Sequence, residues 1–214
     1  MNRVELKEWS KNKIKGNKWT IISVGLVLLS LSSIGSYLSS QAGIVVGILF
    51  DIVSAIFNVG AVVYMVSFIN DRELRIDMLW SKFNNGGKII STYITKIITI
   101  FLHTLLFIVP GIIKSYKLEL VDFILADDNY NNLSPTEIMS LSEKMMNGYK
   151  WDYFILKLSF IGWDILAIFT LGFLLIWLYP YQQVAFTKFL YDVKKKYEEN
   201  NSINSVVSDN VIMG

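Results

Sequence analysis

Seven polar or ionisable residues interrupt the long hydrophobic stretches of this sequence, and they are the side chains best placed to do chemistry. They are Asp51, Asn58, Lys117, Glu119, Asp122, Lys157 and Asp164. Within a bilayer such residues face a protein interior or water, where they bind ions, relay protons or pair with one another. The sequence therefore predicts a polar site inside a membrane protein, with these seven residues as its candidate members.

Asp51 and Asn58 lie on a stripe of small and polar residues within one hydrophobic segment. The members are spaced by three or four residues and so share one helix face: Gly43, Gly47, Asp51, Ser54, Asn58 and Ala61. One interpretation is a packing seam against the preceding segment, because small residues let helices approach closely. The other interpretation makes Asp51 and Asn58 part of an ion or proton site, and the sequence leaves both open.

The remaining candidates occur later in the chain, on two neighbouring hydrophobic segments. Lys157 and Asp164 are seven residues apart and share one helix face. Either of them can pair with the charged residues of the preceding segment, which are Lys117, Glu119 and Asp122. The favoured interpretation is a structural ion pair that holds the helices together, and the alternative is a role in transport.

Two of the three prolines interrupt hydrophobic segments and predict broken helices. Pro110 is followed by Gly111 in "LLFIVPGII", and Pro180 lies in the loosely similar "LLIWLYPYQQ". Proline lacks the amide donor that a helix interior needs. Broken helices at corresponding positions are a feature of transporter repeats, so Pro110, Gly111 and Pro180 are the candidate breaks.

The composition is typical of an integral membrane protein. Of the 214 residues 53% are hydrophobic and only 18% are charged, and the mean hydropathy is +0.43. The chain lacks cysteine and has one histidine, His103, so we predict neither a metal site nor a cofactor. Phosphate-binding and hydrolase motifs are missing from the sequence, and the net charge of +2 does not indicate nucleic-acid binding. We therefore expect a protein that is not an enzyme.

The hydrophobic pattern predicts an all-α, polytopic membrane helical bundle with about six transmembrane segments. The predicted segments are 19–38, 44–69, 89–109, 111–126, one that ends near residue 170, and 172–190. The first is longer than the apolar core of a signal peptide, which favours a retained span over a cleaved one. The chain divides into a basic N-terminal segment, a single membrane domain and a disordered tail, at 1–18, 19–196 and 197–214.

A short amphipathic helix is predicted within the polar stretch 127–150. Ser134 and Glu137 form a capping box around Pro135, and apolar residues then follow at helical spacing. Such a helix either lies at the membrane interface or packs on the bundle.

The positions of lysine and arginine predict the topology. Sixteen of the twenty basic residues fall in the segments 1–18, 70–88 and 127–150 and in the C-terminal segment, whereas the turns at 39–43, near 110 and at 170–172 carry no charge. Basic segments prefer the cytoplasmic side. All four basic segments face the cytoplasm only if 111–126 crosses the membrane. If it does not cross, the C-terminal lysines lie outside. The prediction is a multi-pass protein of the bacterial plasma membrane with both termini in the cytoplasm.

Several motifs follow one another between residues 101 and 191. They are "PGIIKSY" (110–116), "FILADD" (123–128), "SLSEKMMNGYKW" (140–151), "LSFIGWDIL" (158–166), "TLGFLLIWLYPY" (170–181) and "FLY" (189–191). This set resembles an uncharacterised bacterial membrane-protein family, the one labelled domain of unknown function number 975. It is also similar to the membrane domain of glycerophosphodiester phosphodiesterases. The resemblance implies a membrane-embedded module whose activity is unassigned, and it does not imply hydrolase activity.

The expected function is a non-enzymatic membrane scaffold or regulatory module. Its expected partners are the lipid bilayer and another membrane protein. The alternative is a small transporter or channel that uses intramembrane carboxylates, namely Asp51, Glu119, Asp122 and Asp164. The sequence indicates neither an oligomeric state nor the identity of a ligand.

Overall fold

A computed structural model describes residues 2–16, 18–106, 108–170 and 172–212, and this part of the chain is helical and without strands. The α-helices are α1 (Arg3–Gly16), α2 (Lys18–Ala42), α3 (Ile44–Ile69), α4 (Gly86–Leu106), α5 (Ile108–Lys117), α6 (Val121–Ala126), α7 (Pro135–Met145), α8 (Lys150–Phe169) and α9 (Leu175–Ile212). Short 3-10 helices occupy Ile76–Trp80, Phe83–Asn85 and Asp128–Tyr130. The all-α prediction is confirmed.

Two helices of the described residues are long and apolar enough to cross a bilayer, not about six. They are Ile21–Ala42 within α2, and α3. The other predicted segments are shorter or more polar: α5 and α6 have 10 and 6 residues, and α8 contains two lysines and two aspartates. The expectation of about six transmembrane segments is therefore corrected to two candidate spans.

The chain reverses direction between α4 and α5, close to the predicted break at Pro110 and Gly111. Helix α4 ends at Leu106 and α5 begins at Ile108, and residue 107 lies outside the described residues. Pro110 is instead the third residue of α5, where its missing amide donor costs no hydrogen bond. Gly111 allows α5 to approach α4 closely. A Cβ at this position would lie 2.8 Å from the Cβ of Thr104, and nearer still to its Oγ1.

The segment that returns from this reversal is sheltered by the bundle, as its charged residues require. It is interrupted at 118–120, between α5 and α6, without a proline or glycine to predict the break. Leu118, Leu120 and Val121 are fully buried there. The Ser142 hydroxyl of α7 donates to the carbonyl oxygen of Lys117 at 2.8 Å and so satisfies one of the backbone groups that the end of α5 leaves free.

The four basic segments meet at one end of the bundle. Polar contacts join them pairwise: Lys13 with Asp71 (2.5 Å), Tyr191 with Asn70 (3.1 Å), Lys82 with Asp128 (2.6 Å) and Lys194 with Asp127 (2.5 Å). Segments that are distant in sequence therefore form one polar end. Their placement on the cytoplasmic side of a membrane stays a prediction.

The amphipathic helix α7 begins as the sequence predicts. Ser134 is its N-cap, Pro135 opens the helix and Glu137 closes the capping box. Its buried residues include Ile138 and Met145, and they pack against α4 and α6. The apolar face of α7 is thus turned towards the bundle, which matches the second of the two interpretations given above.

Helix α9 passes through Pro180, which the sequence marked as a candidate break. Pro180 is the sixth residue of the helix and lies beside Gly25 of α2. At its other end α9 continues to Ile212, and Glu198 is held to the bundle by Tyr130 and Lys194. The domain boundaries at 18 and 196 and the disordered tail stay predictions.

Candidate functional site

A polar groove follows the stripe of small and polar residues along α3. It consists of three adjoining cavities of about 340, 300 and 150 Å³. Asp51 lines the first and the second, and Asn58 lines the second and the third. The groove therefore extends from Ile44, at the start of α3, to Met65, near its end. The helical spacing read from the sequence identifies this face correctly.

The first part of the groove is also a place where α2 and α3 pack closely. A Cβ on Gly47 would lie 2.5 Å from the Cβ of Ser39, and one on Gly35 would lie 2.9 Å from Oδ1 of Asp51. Small residues thus bring the two helices together, so the packing seam and the polar site are one surface. Asp51 itself is exposed to the groove, and no ion pair or hydrogen bond joins its carboxylate to another described residue.

Helices α4 and α6 supply the opposite wall of the groove. The Tyr93 hydroxyl donates to Oδ1 of Asp122 at 2.8 Å, and Nζ of Lys96 lies 4.0 Å from the same oxygen. Tyr93 and Lys96 line the second cavity, whereas Asp122 lines the third. The groove therefore presents one unpaired carboxylate, one lysine and several hydroxyl and amide groups.

The other predicted carboxylates are engaged in local pairs. Glu119 accepts a hydrogen bond from Lys157 at 2.7 Å, and the ammonium group lies 4.7 Å above the ring of Tyr153. Asp164 accepts one from the side-chain amide of Gln182 at 2.6 Å. These contacts tie α8 to the break between α5 and α6 and to α9. The favoured structural interpretation of Lys157 fits this geometry.

Lys117 has a partner that the sequence analysis missed, Glu143 of α7. The distance between them is 3.5 Å, and Lys114 also pairs with the same carboxylate. Burial acts to raise the pKa of Glu143, but the hydrogen bond and charge of Lys114 outweigh it and hold the pKa below its ordinary value. The two lysines and Glu143 fasten α5 to α7.

The structure thus divides the seven candidates into separate groups. Asp51, Asn58 and Asp122 share the groove, whereas Glu119 and Lys157 form one pair and Lys117 and Asp164 have their own partners. The residues that sequence reasoning missed are Tyr93, Lys96, Glu143 and Gln182. Lys96 carried a usable signal, since it lies within a predicted span, but the others depend on tertiary packing.

A second set of ionic contacts closes the polar end of the bundle around Lys194. Its ammonium group lies 2.5 Å from Asp127 and 2.8 Å from Glu198. Burial acts to lower the pKa of Lys194, but the hydrogen bonds that its ammonium group donates to these two carboxylates raise it overall. Burial acts to raise the pKa of Asp127, but Lys194 and the backbone amide of Asn129 lower it overall.

These pKa values predict how stability depends on pH. The pKa of Asp127 is lower in the folded protein than its ordinary 3.8. The stability that its ionised carboxylate contributes is therefore fully present above pH 3.8 and is lost as the pH falls through the folded pKa. The pKa of Lys194 is raised, so the stability that its ammonium group contributes is fully present below pH 10.5 and is lost as the pH rises through the folded pKa. Asp127→Asn should lower the unfolding free energy at pH 7 by about 1–2 kcal/mol. It should also make the fall in unfolding free energy at acid pH less steep. Thermal unfolding between pH 3 and 8 measures this, with the exposed Glu8→Gln as control, and an unchanged acid decline would contradict it.

Comparison with known families gives a match in the second half of the chain. Residues 92–197, from α4 to α9, match the model of a family described as "Protein of unknown function (DUF975)". The comparisons with curated proteins and with solved structures found no match. The family match supports the resemblance to an uncharacterised family that the motifs indicated. The likeness to the phosphodiesterase membrane domain and the bacterial origin stay predictions.

Proposed function

Because residues 92–197 carry the likeness to a family of unassigned function, we propose a function from the geometry of the groove. The protein is a non-enzymatic membrane module that uses the polar groove along α3 to bind a helix of another membrane protein. The observation that carries this proposal is the carboxylate of Asp51, which lies exposed and without a partner among the described residues, on one of the two helices that are long and apolar enough to cross a membrane.

The surface of α2 and α3 supports a location in the bilayer. In each candidate span only 33% of the apolar window is buried, whereas a core helix of a water-soluble protein is mostly buried. Ile44, Leu49 and Val53 of α3 are all more than 45% exposed. Apolar surface on this scale marks a contact with lipid or protein, so α2 and α3 together serve as a hairpin that anchors the chain in a membrane.

The groove needs an occupant if this hairpin lies in lipid. A carboxylate that faces hydrocarbon at the centre of a span costs about 2.5–3.5 kcal/mol, and Asp51, the eighth of the 26 residues of α3, bears part of that cost. Asn58 and Lys96 face the same groove. A polar partner helix removes this cost by hydrogen bonding to them. The other carboxylates favour binding over conduction, because Glu119 and Asp164 are already engaged in contacts between helices.

Site-specific cross-linking tests the proposal. A photoreactive amino acid at Ser54, in the groove, is expected to give a discrete protein adduct in native membranes. The matched control is Leu49, which lies on the opposite face of α3 and is 58% exposed, and it is expected to give lipid adducts. Asp51→Asn should reduce the adduct at Ser54 at least severalfold. Lipid adducts alone at both positions would contradict the proposal.

Transport is the second candidate, and one observation favours it. The three cavities adjoin one another along most of the length of α3, since Asp51 and Asn58 each line two of them. Proteoliposomes loaded with a pH-sensitive dye distinguish the two functions. A module gives no proton flux under a diffusion potential. A flux that Asp51→Asn abolishes without lowering the melting temperature would replace the binding function by transport.

A further inference from the structure

A further cavity, separate from the three that form the groove, combines a basic rim with an apolar wall. It has a volume of about 460 Å³ and lies between α1, α8 and α9. Lys7, Lys11 and Lys15 of α1 form the rim. Neither the groove nor the ion pairs described above involve these lysines.

The basic rim follows from the sequence of α1. Lys7, Lys11 and Lys15 are separated by four residues and therefore lie on one helix face, which Arg3 extends by a further turn. Like charges at this spacing destabilise an isolated helix, and no carboxylate of the described residues forms an ion pair with any of these lysines. Burial, with Arg3 as a second cause, lowers the pKa of Lys7. The rim thus carries positive charge that the described residues leave without a counterion.

The apolar wall starts at the level of Lys7. The Lys7 ammonium donates to the carbonyl oxygen of Ser159 on α8 at 3.0 Å, and the Tyr181 hydroxyl of α9 donates to the Lys7 carbonyl oxygen at 3.3 Å. Trp163 lies one helical turn beyond Ser159, and Trp177 one turn before Tyr181, so both lie towards the turn between α8 and α9. The wall therefore extends from Lys7 towards that turn.

Two large side chains of this wall are open to a ligand. Trp163 is 52% exposed and Trp177 is 55% exposed, and the apolar lining also includes Ile14, Leu174 and Leu178. An indole ring of this kind is favourable where one part of a ligand is apolar and another part is polar. A free phosphate ion would use the lysines and leave this wall uncovered.

We propose that this cavity binds an anionic phospholipid. The phosphate group lies among Lys7, Lys11 and Lys15, and an acyl chain follows the wall formed by Trp163, Leu174 and Trp177. The charge complementarity identifies the headgroup, because basic side chains beside a membrane attract anionic lipids. The exposed apolar wall indicates that the ligand also carries an acyl chain. The site is independent of the groove and of the function proposed for it.

Titration of the full-length chain in nonionic detergent with short-chain phosphatidylglycerol tests this site. We expect saturable binding, and at least about tenfold weaker binding by the double variant Lys11→Gln/Lys15→Gln. Both lysines are exposed, so the variant should keep its fold. The matched control is Lys195→Gln/Lys196→Gln, which removes two exposed lysines from α9 and changes the net charge equally. Its affinity should stay within about twofold of the unmodified protein's.

Three further binding measurements identify the ligand. Phosphatidylcholine should bind at least about tenfold more weakly than phosphatidylglycerol. Trp177→Ala should weaken phosphatidylglycerol binding severalfold, because it removes part of the wall. Inorganic phosphate alone should bind far more weakly than the lipid. Equal losses in both lysine variants, equal binding of the two lipids, or phosphate binding as tight as that of the lipid would each overturn the proposal.

Discussion

Gly60→Ala is expected to lower the unfolding free energy by about 3 kcal/mol, the upper part of the range for overpacking. Gly60 is buried in α3 where the 3-10 helix Ile76–Trp80 packs against it. A Cβ there would lie 2.7 Å from the carbonyl carbon and 2.9 Å from the Cα of Leu79, and closer still to the carbonyl oxygen. These are backbone atoms, which cannot rotate away as a side chain can. The 3-10 helix would have to move, and Leu79, which is 3% exposed, would leave its packed position.

The melting temperature in detergent measures this effect. For a chain of this size a loss of 3 kcal/mol corresponds to a decrease of about 6–12 °C. Gly162→Ala is the matched control, because Gly162 also lies inside a helix but has no neighbour within 4 Å of a Cβ. Alanine is the better helix former by about 1 kcal/mol, so the control should melt slightly higher. Equal melting temperatures for the two variants would show that the segment after α3 adjusts freely.

Local patterns in the sequence predicted the features that depend on one helix. The capping box identified the start of α7, and the three- and four-residue spacing placed Asp51 and Asn58 on the face that lines the groove. Both inferences work because helical geometry alone fixes which side chains share a face. Neither needs knowledge of what lies opposite that face.

Features that depend on a distant segment could not be predicted in this way. Glu143 lies 26 residues after Lys117 on a helix that the sequence marked only as amphipathic, so nothing local identified the pair. The reversal before Pro110 illustrates a different difficulty. Proline disrupts a helix interior but is tolerated in the first turn, and the sequence does not say where the turn begins. The number of spans was overestimated because hydrophobic segments that pack against one another resemble segments that face lipid.

Lys157→Met is expected to lower the unfolding free energy by about 2 kcal/mol, which corresponds to about 4–8 °C in melting temperature. The substitution keeps much of the apolar stem but leaves Glu119 without its ammonium partner at 2.7 Å. Removing one member of a fully buried pair costs about 3–5 kcal/mol, whereas an exposed pair contributes about 0–1 kcal/mol. The side chains of Lys157 and Glu119 are 35% and 27% exposed, which places this pair between the two cases.

A double-mutant cycle separates the ion pair from the other contacts of Lys157. The ammonium group also lies 4.7 Å from the ring centre of Tyr153 and 5.3 Å from that of Tyr116, and these contacts are lost with or without Glu119. Glu119→Gln combined with Lys157→Met should therefore cost less than the sum of the single changes, by about 1–2 kcal/mol. Additive losses would mean that the two charges do not stabilise each other. If instead neither variant lowered the melting temperature and both abolished ion flux, the pair would belong to a transport path and not to the framework of the bundle.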